Sequence, residues 1–101
     1  MIKHVEDLNE LQSEIKEGRV LVDFFATWCG PCRMVAPILE ELDKDDSFAP
    51  QIVKVDVDDA PDAARAYGIQ SIPTLLYFVD GKLANKAIGY LRKDQIIDFC
   101  K

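Results

Sequence analysis

The segment VLVDFFATWCGPCRMVAPILEEL, residues 20–42, decides the fold. Its first part, Val20–Ala26, is an almost unbroken apolar run that is short and rich in β-formers. Such a run predicts a strand covered on both faces, as in a parallel sheet. A helical stripe follows, formed by Met34, Val35, Ile38, Leu39 and Leu42. Pro31 suits the first turn of this helix, whereas Pro37 falls inside the stripe and is expected to kink it.

The chain on either side of this segment supplies the other predicted elements. Leu8, Leu11 and Ile15 predict a helix that stops at Gly18. The later segments predict a strand over Gln51–Asp59, a short helix over Ala60–Gly68, a hairpin of Leu75–Val79 and Leu83–Ile88 around Asp80 and Gly81, and a last helix over Asp94–Cys100. This order predicts an α/β fold with a central mixed β-sheet and helices on both faces. Residues 1–101 are expected to form a single domain.

Composition limits the classes of partner. With 12 basic and 18 acidic residues, the net charge is −6, which argues against nucleic acid or an anionic membrane surface as a partner. The chain is 49% hydrophobic, which is enough for an ordinary core. A disulfide is therefore not needed merely to fold the domain.

The N-terminal stretch has no long apolar core, and no apolar run approaches the length of a membrane span. Three cysteines, an odd number, fit a reducing compartment better than a disulfide framework. We therefore expect a cytoplasmic protein in which any disulfide is transient.

The pair Cys29 and Cys32 allows three interpretations. A structural zinc site needs four ligands, but only Cys100 and His4 remain as candidates, at opposite ends of the chain. A structural staple closing four residues would stabilise the fold by only about 2 kcal/mol, against about 4.7 for a loop of a hundred residues. The third interpretation is a redox centre.

The redox interpretation explains the local sequence. Cys29 is expected at the start of a helix, where free N–H groups and the helix dipole stabilise a thiolate and lower its pKa. Cys32 is expected one turn further in and more covered. Cys29 would then attack a substrate disulfide, and Cys32 would resolve the mixed disulfide.

The segment around the cysteines resembles the active-site signature of the thioredoxin family. WCGPC, from Trp28 to Cys32, lies between VDFFAT and RMVAPILEEL, and YGIQSIPTLLYFVDGK resembles the segment that carries the cis-proline of the family, here Pro73. Asp23, Lys54, Pro37 and Gly89 also match the family pattern. The matches run from about Val20 to the C-terminus.

The resemblance implies a thioredoxin fold and a dithiol carrier that reduces disulfides in protein substrates. Its expected partners are thioredoxin reductase, which recharges the carrier, and disulfide-containing proteins. No cofactor and no metal are implied, because the cysteine pair itself carries the two electrons. A monomer is expected.

The resemblance also assigns roles to particular residues. Asp23 lies in a run that is expected to be buried on both faces, which should raise its pKa, and Lys54, equally isolated in an apolar run, is its candidate partner. The resemblance makes Asp23 the proton acceptor for Cys32. A cis Pro73 would pack beside the cysteines, while the backbone of Ile72 pairs with an extended substrate segment. The expected docking surface around Cys29 consists of Trp28, Gly30, Pro31, Ile72, Pro73 and Gly89.

Other residues depart from the family pattern or stay outside it. Phe25 stands where the family often has a second tryptophan, and Tyr90 where a smaller residue is usual. Cys100 is expected to be a small buried hydrophobe on the last helix, and His4 a surface residue. Two alternative functions remain open at this point: an oxidase or isomerase on the same scaffold, and a binding module without redox turnover.

Overall fold

The computed structural model describes the whole chain, residues 1–101. Nine elements follow one another in the order β1 (Lys3–Val5), α1 (Leu8–Ile15), β2 (Arg19–Phe25), α2 (Gly30–Lys44), β3 (Gln51–Asp56), α3 (Pro61–Ala66), β4 (Thr74–Val79), β5 (Lys82–Ile88) and α4 (Lys93–Phe99). None of the four helices is both long and apolar enough to cross a membrane.

The strands form one sheet in the order β1-β3-β2-β4-β5. β1 and β2 run parallel to β3, whereas β4 pairs antiparallel with both β2 and β5. β2 is therefore the central strand, and Asp23 lies opposite Lys54 on one side and Leu75 on the other. The mixed sheet agrees with the prediction.

Helices cover both faces of the sheet, and the side chains of β2 alternate between the two layers. Val20, Val22 and Phe24 pack with α1 and α3, in a cluster that also contains Leu11 and Ala63. Leu21 packs with α2 and α4, in a cluster with Leu39, Leu42, Ile96 and Phe99. Asp23 has the same parity as Leu21, so its carboxylate lies under the α2 layer.

Turn chemistry fixes the ends of the predicted elements. Asp7 caps α1, because its carboxylate accepts a hydrogen bond of 2.8 Å from the N–H of Glu10. Asp80 and Gly81, at φ 49° and 85°, form the two-residue turn expected between β4 and β5. The N–H of Gly18 donates to Asp80 Oδ1 at 2.8 Å, which ties this hairpin to the loop after α1.

Two details differ from the predictions. β1 was not among the predicted elements, because three residues show no periodicity and β1 is defined by its pairing with β3. β3 ends at Asp56 rather than Asp59, since the N–H of Asp58 turns back to Asp56 Oδ1. α2 runs from Gly30 to Lys44 with Pro37 inside it and with Val35, Leu39 and Leu42 buried, and the kink expected at Pro37 stays a prediction.

Candidate active site

Cys29 occupies the N-cap position of α2, four residues after the end of the central strand. Its backbone is extended, with φ −89° and ψ 116°, and its Sγ accepts a hydrogen bond of 3.2 Å from the N–H of Cys32. This N–H is one of the helix donors that lack an intrahelical partner. Once Cys29 is reduced, the same donor and the positive end of the 15-residue helix stabilise its thiolate.

Cys29 and Cys32 are joined as a disulfide, with their Cα atoms 5.3 Å apart. The sequence predicted that Cys32 would be the more covered of the two. It is, but the difference is small: Cys29 is 5% exposed and Cys32 is 3% exposed. What distinguishes the two thiols is therefore position on the helix more than exposure.

A buried ion pair lies in the sheet on the same side as α2. Asp23 is fully buried, and neither of its carboxylate oxygens has a hydrogen-bond partner. The nearest cation is Lys54, whose Nζ lies 3.8 Å from Asp23 Oδ2. Burial raises the pKa of Asp23 to about 6, against an opposing pull from the Lys54 ammonium. The carboxyl group can therefore gain and lose a proton near neutral pH.

The loop before β4 brings Ile72 and Pro73 to the cysteines. The Ile72–Pro73 peptide bond is cis, and the carbonyl oxygen of Ile72 lies 3.8 Å from Cys29 Sγ. The N–H of Gly89 donates to the carbonyl of Pro73 at 2.8 Å, with Gly89 at φ 97°. A side chain at position 89 would be strained, so glycine is favoured there. Ile72 thus lies beside Cys29, and a backbone hydrogen bond joins Gly89 to Pro73.

Trp28 is an exposed residue, with 66% of its surface accessible to solvent. Its Nε1–H donates to Asp58 Oδ2 at 2.8 Å, which orients the indole. Gly30 and Pro31 are exposed in the first turn of α2. The contact of Asp58 with Trp28 was not predicted from the sequence, where Asp58 is one of three aspartates within residues 56–59. Only the folded loop shows which of the three bonds to the indole.

A pocket of about 230 Å³ opens beside Cys32. Its lining includes Phe25, Ala36 and Lys54, together with Arg33, whose guanidinium donates to the carbonyl of Thr27. Cys29 does not line it, so the pocket reaches the disulfide from the Cys32 side. Neither this pocket nor the position of Lys54 in its lining was predicted from the sequence.

No group of three or more His, Cys, Asp or Glu side chains in the chain could hold a metal ion. Cys100 and His4 lie apart from the cysteine pair, Cys100 buried at the end of α4 and His4 exposed on β1. The side chains at the site are those of a thiol–disulfide exchange centre, with two thiols and a buried acid.

Cys100 should be inert in the folded protein. It is 1% exposed, and burial raises the pKa of its thiol to about 12, so almost no thiolate forms at pH 8. After reduction, iodoacetamide should modify Cys29 in the native protein and Cys100 only after denaturation, as counted by mass spectrometry. Rapid native modification of Cys100 would contradict its assignment as a core residue. Cys100→Ala should leave disulfide reduction unchanged.

Comparisons with known proteins agree with this geometry. The family model described as Thioredoxin matches residues 2–101. The chain is 48% identical over 96 residues to thioredoxin of Listeria monocytogenes, covering 95% of this chain and 92% of the relative. It is 45% identical over 89 residues to thioredoxin of Staphylococcus aureus, covering 88% and 86%.

Solved structures give the same result for the fold. A point mutant of thioredoxin from Halobacterium salinarum superposes with a TM-score of 0.88 at 34% identity, covering 98% of this chain and 87% of that one. Oxidised mitochondrial thioredoxin 3 from Saccharomyces cerevisiae gives 0.87 at 34% identity, covering 98% and 92%. With its cysteine pair at the start of α2, the chain belongs to the thioredoxin family and is a dithiol thiol–disulfide oxidoreductase that reduces protein disulfides.

Proposed function

We propose that Cys29 is the attacking thiol and Cys32 the resolving thiol. The Cys29 thiolate attacks one sulfur of a substrate disulfide, forms a mixed disulfide and releases the other substrate sulfur as a thiolate. Cys32 then attacks Cys29 Sγ, which releases the second substrate sulfur and leaves the Cys29–Cys32 disulfide. The substrate gains two electrons, and the cysteine pair loses two. The observation that carries this assignment is the hydrogen bond from the Cys32 N–H to Cys29 Sγ at the helix N-cap.

Asp23 is proposed as the base of the second step. Cys32 must lose its proton to attack, and Asp23 is a buried acid whose pKa of about 6 lets it accept a proton near neutral pH. Lys54 compensates the charge of the carboxylate.

The proposed docking surface for substrate consists of Trp28, Gly30, Pro31, Ile72, Pro73 and Gly89. An extended segment of a protein substrate would cross it, with main-chain bonding at Ile72 and its disulfide above Cys29. The exposed indole of Trp28 and the short distance from the Ile72 carbonyl to Cys29 support this placement.

Thioredoxin reductase is the proposed electron donor, and residues 1–101 are proposed to act as one monomeric thioredoxin domain. The chemistry needs no bound cofactor, since the reduced cysteine pair carries both electrons. The proposed compartment is the cytoplasm, supported by the odd number of cysteines and by the bacterial relatives.

A coupled assay tests this function: NADPH oxidation is followed in the presence of thioredoxin reductase and a disulfide-containing model protein. We expect turnover that requires the chain, the reductase and both cysteines. Reduction of the model protein by the chemically reduced chain, without turnover from the reductase, would reject thioredoxin reductase as the donor. Failure of the chemically reduced chain to reduce the model protein would reject the reductase function.

Substitution of Trp28 by alanine should weaken docking more than chemistry. We expect KM for a protein disulfide to rise about tenfold, in line with the loss of an exposed aromatic anchor. The rate with a small aromatic disulfide, which makes few contacts, should change little. Leu83→Ala is the matched control, because Leu83 is 52% exposed but lies at the opposite end of β5 from Gly89. Equal effects of the two substitutions would refute the docking role of Trp28.

A further inference from the structure

Phe25 is in contact with Lys54, and this contact has no part in the proposed steps at Cys29, Cys32 and Asp23. Lys54 Nζ lies 4.5 Å from the centroid of the Phe25 ring. At this distance the ammonium interacts favourably with the negative face of the aromatic ring. The Lys54 side chain is only 12% exposed, so the contact is largely shielded from water.

The sheet places the side chains of Asp23, Phe25 and Lys54 next to one another. Asp23 and Phe25 are two residues apart on β2 and project from the same face. Lys54 is opposite Asp23 on the neighbouring strand, and its ammonium reaches both of them. At 3.8 Å, the separation between Lys54 Nζ and Asp23 Oδ2 is longer than a hydrogen bond. The carboxylate alone therefore does not fix the position of the ammonium.

Lys54 and Phe25 both line the pocket beside Cys32, so the pocket offers space into which the Lys54 side chain could move. An ammonium that moved towards the mouth of this pocket would gain hydration. It would also move away from Asp23, whose oxygens have no other partner. The Phe25 ring opposes this movement, because it attracts the ammonium at its observed position, 4.5 Å from the ring centroid.

We propose that Phe25 is a positioning residue that holds the Lys54 ammonium beside the buried carboxylate of Asp23 and thereby keeps that carboxylate ionisable. It acts through Lys54 and touches neither substrate nor the reacting sulfurs. Its importance for the resolving step rests on the proposed role of Asp23 as base. The contact itself does not depend on that role.

No other cation near Asp23, Phe25 and Lys54 is paired with the Asp23 carboxylate. From α2, Cys32 and Arg33 line the same pocket, and the Arg33 guanidinium is held by the Thr27 carbonyl. From β3, Asp56 lies opposite Phe25, but its Oδ1 accepts from the N–H of Asp58 in the following loop. β4 presents the apolar Leu75 to Asp23. Lys54 is therefore the one cation paired with Asp23 in the structure.

The test compares Phe25→Leu, which keeps an apolar side chain but removes the ring, with Phe25→Trp, which keeps an aromatic face. The carboxyl carbon of Asp23 is titrated by NMR in the disulfide form, where neither Cys29 nor Cys32 ionises. We expect Phe25→Leu to raise the proton affinity of Asp23 about threefold or more, and Phe25→Trp to keep it near that of the parent. Unchanged titration in folded Phe25→Leu, or equal shifts in both variants, would overturn the proposal.

A double-mutant cycle tests whether the effect passes through Lys54. In a Lys54→Met background, Phe25→Leu should leave the Asp23 titration where Lys54→Met alone puts it. A full shift in that background would show that the ring acts on Asp23 directly, and would overturn the positioning role. The pH profile of the resolving rate is a separate readout: if it fails to follow the Asp23 titration, Asp23 is not the base, and the positioning role of Phe25 still stands.

Discussion

Replacement of Cys29 by serine is expected to abolish turnover, with a loss of at least about a thousandfold in the coupled assay. A serine hydroxyl does not form an oxyanion at neutral pH, so the helix N-cap has no nucleophile to stabilise. The hydrogen bond from the Cys32 N–H can still form, which means that the fold at the start of α2 should survive. Circular dichroism and the unfolding midpoint, each compared with the reduced parent, serve as the structural controls.

Cys32→Ser should fail differently. The first attack by Cys29 remains possible, so one equivalent of substrate thiol should be released in a burst, followed by a stop at the mixed disulfide. Cys29→Ser should show no burst. Cys100→Ser is the matched control, since it replaces a buried cysteine that lies outside the site, and it should keep full turnover. A burst from Cys29→Ser would reverse the assignment of the two thiols.

Asp23→Asn should stabilise the protein in a pH-dependent way. The pKa of Asp23 rises from an ordinary value of 3.8 to about 6 in the fold, chiefly because of burial. Between these values the folded state holds a proton that the unfolded state has lost, so the stability of the parent falls as pH rises from about 4 to about 6. This shift in the pKa of Asp23 corresponds to a loss of about 3 kcal/mol in the free energy of unfolding of the parent.

The free energy of unfolding of Asp23→Asn, taken relative to that of the parent, should therefore be about 3 kcal/mol larger at pH 7.5 than at pH 3.5. Urea unfolding of the two disulfide forms at both pH values measures it. At pH 3.5 the aspartic acid is itself neutral, and the comparison isolates the charge. Asp59→Asn, at an exposed carboxylate, is the control and should change the unfolding free energy little at either pH. If the unfolding free energies of Asp23→Asn and the parent differed by the same amount at both pH values, the raised pKa of Asp23 would be contradicted.

The same position should affect one catalytic step. In single-turnover measurements, Asp23→Ala should slow resolution by Cys32 more than the first attack by Cys29, because only resolution needs a new proton acceptor. Equal slowing of both steps would instead indicate a general effect on the fold. In that case the buried carboxylate would serve structure and not proton transfer.

The central strand, the hairpin and the cysteine-capped helix could be predicted because each depends on local chemistry. Val20–Ala26 has no polar alternation, Asp80 and Gly81 accept positive φ, and Pro31 suits a first helical turn. The pairing of Asp23 with Lys54 followed from two charges isolated in apolar runs. β1 could not be predicted, since its three residues are a strand only through pairing with β3.

Contacts that depend on register and loop path were not visible in the sequence. The bond from Trp28 to Asp58 joins residues 30 positions apart and selects one aspartate from a cluster. The contact between Phe25 and Lys54 requires the parallel register of β2 and β3, which no local pattern specifies. The sequence thus allowed the reacting groups to be predicted, whereas the groups that orient them required the fold.

Mapping of the mixed disulfide tests the central claim most directly. Cys29→Ser and Cys32→Ser are each incubated with an excess of a disulfide-containing protein, quenched with acid and digested without reduction for mass spectrometry. We predict a substrate adduct at Cys29 of the Cys32→Ser variant and none on the Cys29→Ser variant. An adduct at Cys32 of Cys29→Ser in comparable yield, or one at Cys100 in either variant, would contradict the assignment of Cys29 as the attacking thiol.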